Sequence, residues 1–363
     1  MFRCKNAFFF VIILITVVSC DGFVKNIFDT SERAKYERGF TGSDSLMTRW
    51  KTEFSSATQN NLTVADGHSS SVPENGLYAL GYSIELKKGD QLMIEAESED
   101  PETLIFIDVY EQSSTAEPSK TKLLKNGRFS RFTENSGIHK VIIQPEIEYQ
   151  GSFTFKIYTQ PSLGFPVAGK GNRDVQSFWG ASRDGGGRSH EGIDIFARRG
   201  TPVVAVTNGY ITRTGNSGLG GKQVWQRDGL LGNSIYYAHL DSITVQGGTK
   251  VNTGDTLGLV GSTGNAEGGA PHLHFGIYTR GGAVDPYPYV RQRAVPVYRK
   301  SVISGGKSVK AGSNLRAGPG TQYEILGSLD QKTTVVVLAG DGEWFHIKTD
   351  KGVEGFVSAT RLE

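Results

Sequence analysis

The sequence predicts a mainly β protein made of short antiparallel strands, and three of its features carry that expectation. Gly is abundant, at 47 of 363 residues; Val, Ile, Thr, Tyr and Phe dominate the apolar runs; and those runs are short, bounded by Gly, Pro, Asn or Asp. A chain of this length exceeds one ordinary core and leaves room for two or three domains. Hydrophobic residues at 37%, charged residues at 21% and a net charge of +2 belong to a folded chain and speak against a nucleic-acid-binding surface.

The N-terminus carries Arg3 and Lys5, then an apolar stretch over residues 7–18, then Val17-Val18-Ser19-Cys20. Basic start, apolar middle and small-residue end make an export signal over residues 1–20. A transmembrane anchor is the competing reading, but the apolar stretch is shorter than the roughly 20 residues that a spanning helix needs. The tetrad resembles a bacterial lipobox. That resemblance implies that Cys20 is acylated and holds the protein to a membrane of the bacterial envelope, facing the periplasm. Cys4 leaves with the signal, so no pair remains for an internal disulfide.

Residues 21–54 are polar and of mixed charge, and read as a tether or a short helix. Residues 55–160 read as a β-sandwich-like domain, with strands expected over 77–86, 91–97, 104–110, 139–143 and 151–157. Alternation in Gly151-Ser152-Phe153-Thr154-Phe155-Lys156-Ile157 places Phe153, Phe155 and Ile157 on one face. Lys88-Gly89-Asp90 and Lys125-Asn126-Gly127 are turn signals. No acids, histidines or nucleophiles stand at a chemical spacing in this domain. Two prolines and a Gly in Pro161-Ser162-Leu163-Gly164-Phe165-Pro166 then mark a linker. Residues 161–297 form the next domain and hold four of the seven histidines; residues 298–363 are a compact run of short strands.

The chemistry lies in the middle domain. In Ser189-His190-Glu191-Gly192-Ile193-Asp194-Ile195-Phe196, a His and an Asp four apart could share a helix face or a strand face. Gly192 and the β-forming residues after it favour the strand, where His190, Gly192 and Asp194 point the same way and Glu191 points away into solvent. In Pro271-His272-Leu273-His274-Phe275, two histidines at i and i+2 share a strand face. Ile235-Tyr236-Tyr237-Ala238-His239-Leu240 is a third strand, closing on a histidine. Imidazole and carboxylate suit Zn2+, and a catalytic zinc with three such ligands keeps a fourth position for water. Gly220-Gly221-Lys222 has a superficial likeness to a phosphate loop, but Gln223 stands where Ser or Thr is required. His68, His139 and His346 stand alone and read as surface or satisfied core residues.

Together the three motifs resemble the lysostaphin/LytM family of zinc metallopeptidases over residues 165–290. The resemblance implies an antiparallel β-sheet domain with a narrow groove, Zn2+ held by His190, Asp194 and His274, and two unliganded catalytic histidines, His239 and His272. It implies an endopeptidase that cleaves peptide cross-links of bacterial peptidoglycan, with the D-alanine to diaminopimelate bond expected for a lipoprotein of a diderm envelope and a glycine cross-bridge as the alternative. Some members of the family lack ligands and act as noncatalytic activators or scaffolds, which is the second function class; here all five positions are filled. The long Gly-rich stretch over residues 215–232, with Trp225 and Arg227, departs from the pattern.

Asn314-Leu315-Arg316-Ala317-Gly318-Pro319-Gly320, Gly342-Glu343-Trp344-Phe345-His346-Ile347 and Gly355-Phe356-Val357 resemble a bacterial SH3-like barrel. Such modules often bind wall peptide. Trp344 and Phe356 either line a groove or fill the core.

Overall fold

The computed structural model describes residues 29–74, 77–111, 120–147, 149–229, 232–298 and 307–363. The export signal, Cys20 and the first residues of the expected tether lie outside them.

The first domain is a two-sheet sandwich. Its strands are β1 His68–Val72, β2 Leu80–Leu86, β3 Asp90–Ser98, β4 Ile105–Glu111, β5 Lys120–Leu124, β6 Gly127–Phe132, β7 Gly137–Pro145 and β8 Phe153–Pro161. One sheet runs β1-β8-β3-β6 and the other β2-β7-β4-β5. Phe153, Phe155 and Ile157 fill the space between the sheets, as their alternation requires. The expected turns are present, with Gly89 and Asn126 both at positive φ. β1 escaped the sequence reading because His-Ser-Ser-Ser-Val has no apolar alternation; its burial comes from what packs on it.

Of the two readings of residues 21–54, tether or short helix, the described part takes the helical one. Two helices, Glu32–Gly39 and Asp44–Gln59, are capped by Ser31 and Ser43 and lie against the sheet β2-β7-β4-β5. Trp50 is 0% exposed and gives its indole N–H to the Pro145 carbonyl at 2.8 Å. Arg33 donates to Asp108 Oδ2 at 2.6 Å and to Gln144 Oε1 at 2.7 Å, with its guanidinium 4.0 Å from the Phe54 ring centroid. Mixed charge suggested solvent. Arg33 is instead satisfied inside, where Coulomb attraction is poorly screened, while Lys35, Arg38 and Lys51 stay exposed.

The second domain comprises β9 Val175–Ser177, β10 Ser182–Arg183, β11 Arg188–Ser189, β12 Ile193–Phe196, β13 Pro202–Val204, β14 Gly209–Asn216, β15 Lys222–Asp228, β16 Ser234–Ile243, β17 Lys250–Val251, β18 Thr256–Val260, β19 His272–Thr279 and β20 Gly282–Val284. Its main sheet is antiparallel in the order β17-β14-β15-β16-β19-β12-β9. Ile193, Ile195, Tyr237, Leu273, Phe275 and Ile277 point below it into a core closed by Val203, Leu257 and Val260. The alternate residues point up and form the candidate site.

The third unit holds β21 Lys307–Val309, β22 Ser313–Arg316, β23 Ile325–Leu329, β24 Thr333–Gly340, β25 Trp344–Thr349 and β26 Glu354–Ser358. It is not separate from the sandwich: β24 meets β1 at Ser71 and Gly340, giving one ten-stranded sheet. Residues 291–298 cross the sandwich, with Arg293 on Asp90 at 2.7 Å and the Val297 carbonyl accepting from Ser69 at 3.3 Å.

Replacing Arg33 by Met should lower the free energy of denaturant unfolding by about 3–5 kcal/mol, the usual cost of stripping a buried carboxylate of its cation. A change below about 1 kcal/mol would show that the helical segment is not anchored through Asp108.

Candidate metal centre and flanking histidines

β12 and β19 pair antiparallel with Asp194 opposite His274 and Phe196 opposite His272. Side chains directly opposite share a face and lie within contact distance, so the pairing alone sets Asp194 against His274. On the other side of β19, the partner of His274 is Ala238, which leaves space above the strand.

His190 does not lie on the Asp194 strand, contrary to the sequence expectation. β12 begins only at Ile193, and His190 follows β11, its N–H bonded to the Ala181 carbonyl at 2.9 Å and its carbonyl accepting from Gly180 at 2.9 Å. The chain bends at Gly192, where a Cβ would stand 2.6 Å from His274 Cε1 and from the Phe275 carbonyl oxygen, so only Gly fits there. Gly192 does give the ligands room, by a bend instead of by strand alternation. Glu191 is exposed, as expected.

His190 Nε2 lies 3.0 Å from His274 Nδ1, and both lie 3.1 Å from Asp194 Oδ1. Four-coordinate zinc with bonds of about 2.0–2.1 Å needs donors roughly 3.3 Å apart, so this near-equilateral triangle fits such an ion. The donor chemistry fits as well. His190 Nδ1 lies 3.0 Å from the Phe178 carbonyl and donates to it, which leaves the Nε2 lone pair facing into the triangle. His190 is 2% exposed and Asp194 7%, so these polar groups are held away from water. Burial by itself would raise the Asp194 carboxyl, but His190 and His274 overcome it and hold the carboxyl well below the usual range. Burial pushes His274 down against the opposing pull of Asp194.

One contributor has no signal in the motifs. Arg183, on the β10–β11 hairpin, donates to Asp194 Oδ2 at 2.6 Å and to Ser177 Oγ at 2.7 Å; that hydroxyl is 3.3 Å from His190 Nδ1. A single guanidinium thus orients two of the three donors. Only the fold brings residue 183 to residue 194, although an Arg inside a Gly-rich turn just ahead of a ligand pair is the kind of signal that could have raised it.

His239 and His272 stand beside the triad. The His239 and His272 ring centroids are 5.0 Å apart, His239 is 5.8 Å from His274, and His272 Nε2 is 4.0 Å from Asp194 Oδ1. Each ring gives its Nδ1–H to a backbone carbonyl, Thr263 for His239 and Ala270 for His272, both at 2.8 Å. That leaves each Nε2 with an open lone pair. Burial, followed by repulsion from His272, lowers His239 to about 4, so its ring is neutral at neutral pH. His272 also stacks on Phe196, with centroids 5.0 Å apart.

His239 does not close its strand as expected. β16 runs on to Ile243, and His239 sits inside it at φ +62°, where the ladder shifts register on both sides. A left-handed non-Gly residue costs on the order of 1–3 kcal/mol and persists only when its surroundings over-determine it. Here the Gly220 carbonyl accepts its N–H at 2.8 Å, while Gly221 and Gly264, both at positive φ, pack backbone to backbone beneath it. The Gly-rich stretch over 215–232 is therefore part of the support of His239. Trp225, on β15, packs tilted against Tyr236 with ring centroids 4.3 Å apart, and Tyr236 in turn meets His274 edge-on at 5.8 Å, forming an aromatic wall beside the triad.

Residues 188–286 match the model of Peptidase family M23, and residues 311–363 match that of the bacterial SH3 domain. The chain therefore carries an M23 peptidase domain followed by a bacterial SH3 domain, on a mainly β, antiparallel fold. It is 37% identical over 153 residues to the L-Ala--D-Glu endopeptidase of Bacillus subtilis (strain 168), covering 38% of this chain and 46% of that protein. It is 35% identical over 112 residues to glycyl-glycine endopeptidase ALE-1 of Staphylococcus capitis, covering 29% and 30%. Among solved structures, the catalytic domain of lysostaphin from Staphylococcus simulans is similar at 30% identity and a TM-score of 0.28, covering 36% of this chain and 91% of that one. The chain spans less than half the length of these curated relatives.

Arg183→Gln should weaken binding of a divalent metal about 10–100-fold, the usual effect of losing an outer-shell partner. Competition with a chromogenic chelator measures this; wild-type affinity in the variant would remove Arg183 from the support of the centre.

Proposed function

We propose that this chain is a zinc-dependent endopeptidase that hydrolyses peptide bonds in bacterial peptidoglycan. The observation that carries the reading is the triangle of His190, Asp194 and His274 flanked by two further histidines, each with Nε2 open. The M23 match over the same residues supports it. A noncatalytic scaffold would have a missing ligand to rest on, and the donor set is complete.

Bound zinc supplies Lewis acidity toward the scissile carbonyl and lowers the pKa of water toward about 7. The protein's own part is to orient and to move protons. One of His239 and His272 accepts at Nε2 the proton of the attacking water and returns it to the leaving amine. The other takes a proton at Nε2 from bulk solvent before the attack and donates a hydrogen bond from it to the developing oxyanion. The Thr263 and Ala270 carbonyls keep both Nδ1 protons in place during these transfers. Tyr236 and Trp225 border the path of the peptide beside His274.

The bond assigned in this reading is the D-alanine to diaminopimelate cross-link, because the lipobox-like tetrad suits a diderm envelope. A second reading, the bond between L-Ala and D-Glu, is favoured by the likeness to the B. subtilis enzyme of that name. Digestion of diaminopimelate-type peptidoglycan, with the released peptides identified by mass, separates the two. The same reading anchors the chain through acylated Cys20 in the bacterial envelope, facing the periplasm.

His239→Ala and His272→Ala should keep the metal and lose hydrolysis by at least about 100-fold, whereas His190→Ala, Asp194→Ala and His274→Ala should lose both. Metal content and turnover measured on the same samples test this, and full activity in metal-free protein would sink the mechanism. Cys20→Ser should move the protein from the membrane fraction to the soluble one; continued membrane attachment would refute the lipid anchor.

A further inference from the structure

Three strands of the SH3 domain are buried on both faces. On one face Val335, Val337, Phe345, Ile347 and Val357 fill the domain's own small core. The residues that alternate with them face the N-terminal sandwich: Leu338, Phe356 and partly buried Val336 and Trp344 join Tyr82, Leu80 and Phe155 in a single cluster. Phe356 is 1% exposed and His346 0%. In an isolated barrel this outer sheet face would lie in water.

The contact centres on Tyr82. Its hydroxyl is 3.0 Å from His346 Nδ1, and its ring lies 5.6 Å from that of His346 and 6.0 Å from that of Phe356. Charged groups around this apolar centre are hydrogen-bonded or ion-paired. Glu354 accepts from Asn60 at 3.0 Å and lies 3.3 Å from Lys348; Lys348 reaches Glu53 at 2.7 Å; Lys140 donates to the Asn60 carbonyl at 2.6 Å. Burial alone would raise the Glu354 carboxyl, but His346, Asn60 and Lys348 hold it below the usual range. Backbone joins in, with the Thr63 N–H on the Ala317 carbonyl at 2.7 Å and the bridge between Ser71 and Gly340.

An apolar centre inside a ring of satisfied charges is the anatomy of a stable interface. Opening it would expose that centre and break the Lys348–Glu53 ion pair and the Asn60–Glu354 hydrogen bond, so the penalty falls on both sides of the contact. We infer that the aromatic sheet face of the SH3 domain is an intramolecular docking face whose ligand is the chain's own sandwich. The domain braces the chain, and Trp344 and Phe356 do not serve to recognise peptidoglycan.

Two measurements on the full-length protein test the inference, and neither depends on peptidase activity. In a double-mutant cycle of unfolding with Tyr82→Phe and His346→Leu, the two changes should be coupled by about fivefold or more in the unfolding constant; additive effects would overturn the docking. In sedimentation with purified peptidoglycan, Trp344→Ala and the conservative Tyr82→Phe, both checked for native circular dichroism, should pellet to the same extent as wild type. A folded Trp344→Ala protein whose retention falls tenfold would overturn the claim that this face is not a wall-binding site.

Discussion

The register between β12 and β19 is the constraint on which the candidate site depends. Strand side chains alternate with a period of two, so a slip of one residue would drive Asp194 into the core and bring Ile193 or Ile195 to the surface. The large apolar residues beneath the sheet, Ile193, Ile195, Leu273 and Phe275, prevent that slip, because burying a carboxylate in their place would cost far more than any repacking could return. The core therefore holds the donor atoms in place, although no core residue touches them. His190, entering from a hairpin outside this pairing, needs separate fixation. The Phe178 carbonyl and the Arg183–Ser177 pair provide it.

A second tier of control acts on the backbone. His239 is forced into a left-handed conformation by hydrogen bonds from two glycine-rich loops, and the ring is thereby turned toward His272 instead of along the strand. Strain of this kind survives only in rigid surroundings, which accounts for the close backbone contact of Gly221 with Gly264. Small residues near the site are thus as structural as the large ones below it. Hydrogen-bond and ring contacts described for His190, Asp194, His239, His272 and His274 stay within residues 177–274, so among the described residues the sandwich makes none of them.

The other two units are bound to each other more intimately than either is to the peptidase sheet. One continuous sheet and one shared apolar cluster join them, while the segment 291–298 carries the chain across the sandwich from the M23 domain. Helices Glu32–Gly39 and Asp44–Gln59 close the remaining sheet face of the sandwich through Trp50 and Arg33. A region that reads as polar connection thereby becomes part of the folded body.

Much of this was legible in the residues themselves. Turn signals at Gly89 and Asn126, alternation in β8 and the spacing within the His272 and His274 motif are local properties, and local sterics enforce them whatever the remainder of the chain does. By itself the sequence determined the mainly β character, and it marked out a three-unit order and the donor residues proposed for a metal. Tertiary structure alone decided the rest, because those features depend on pairs of residues far apart in the chain. It set His190 beside Asp194 through a bend at Gly192 and brought Arg183 to that carboxylate. It turned His239 to positive φ within its strand. It also turned the outer face of the SH3 strands inward, since neither Tyr82 nor His346 carries any local sign of the other.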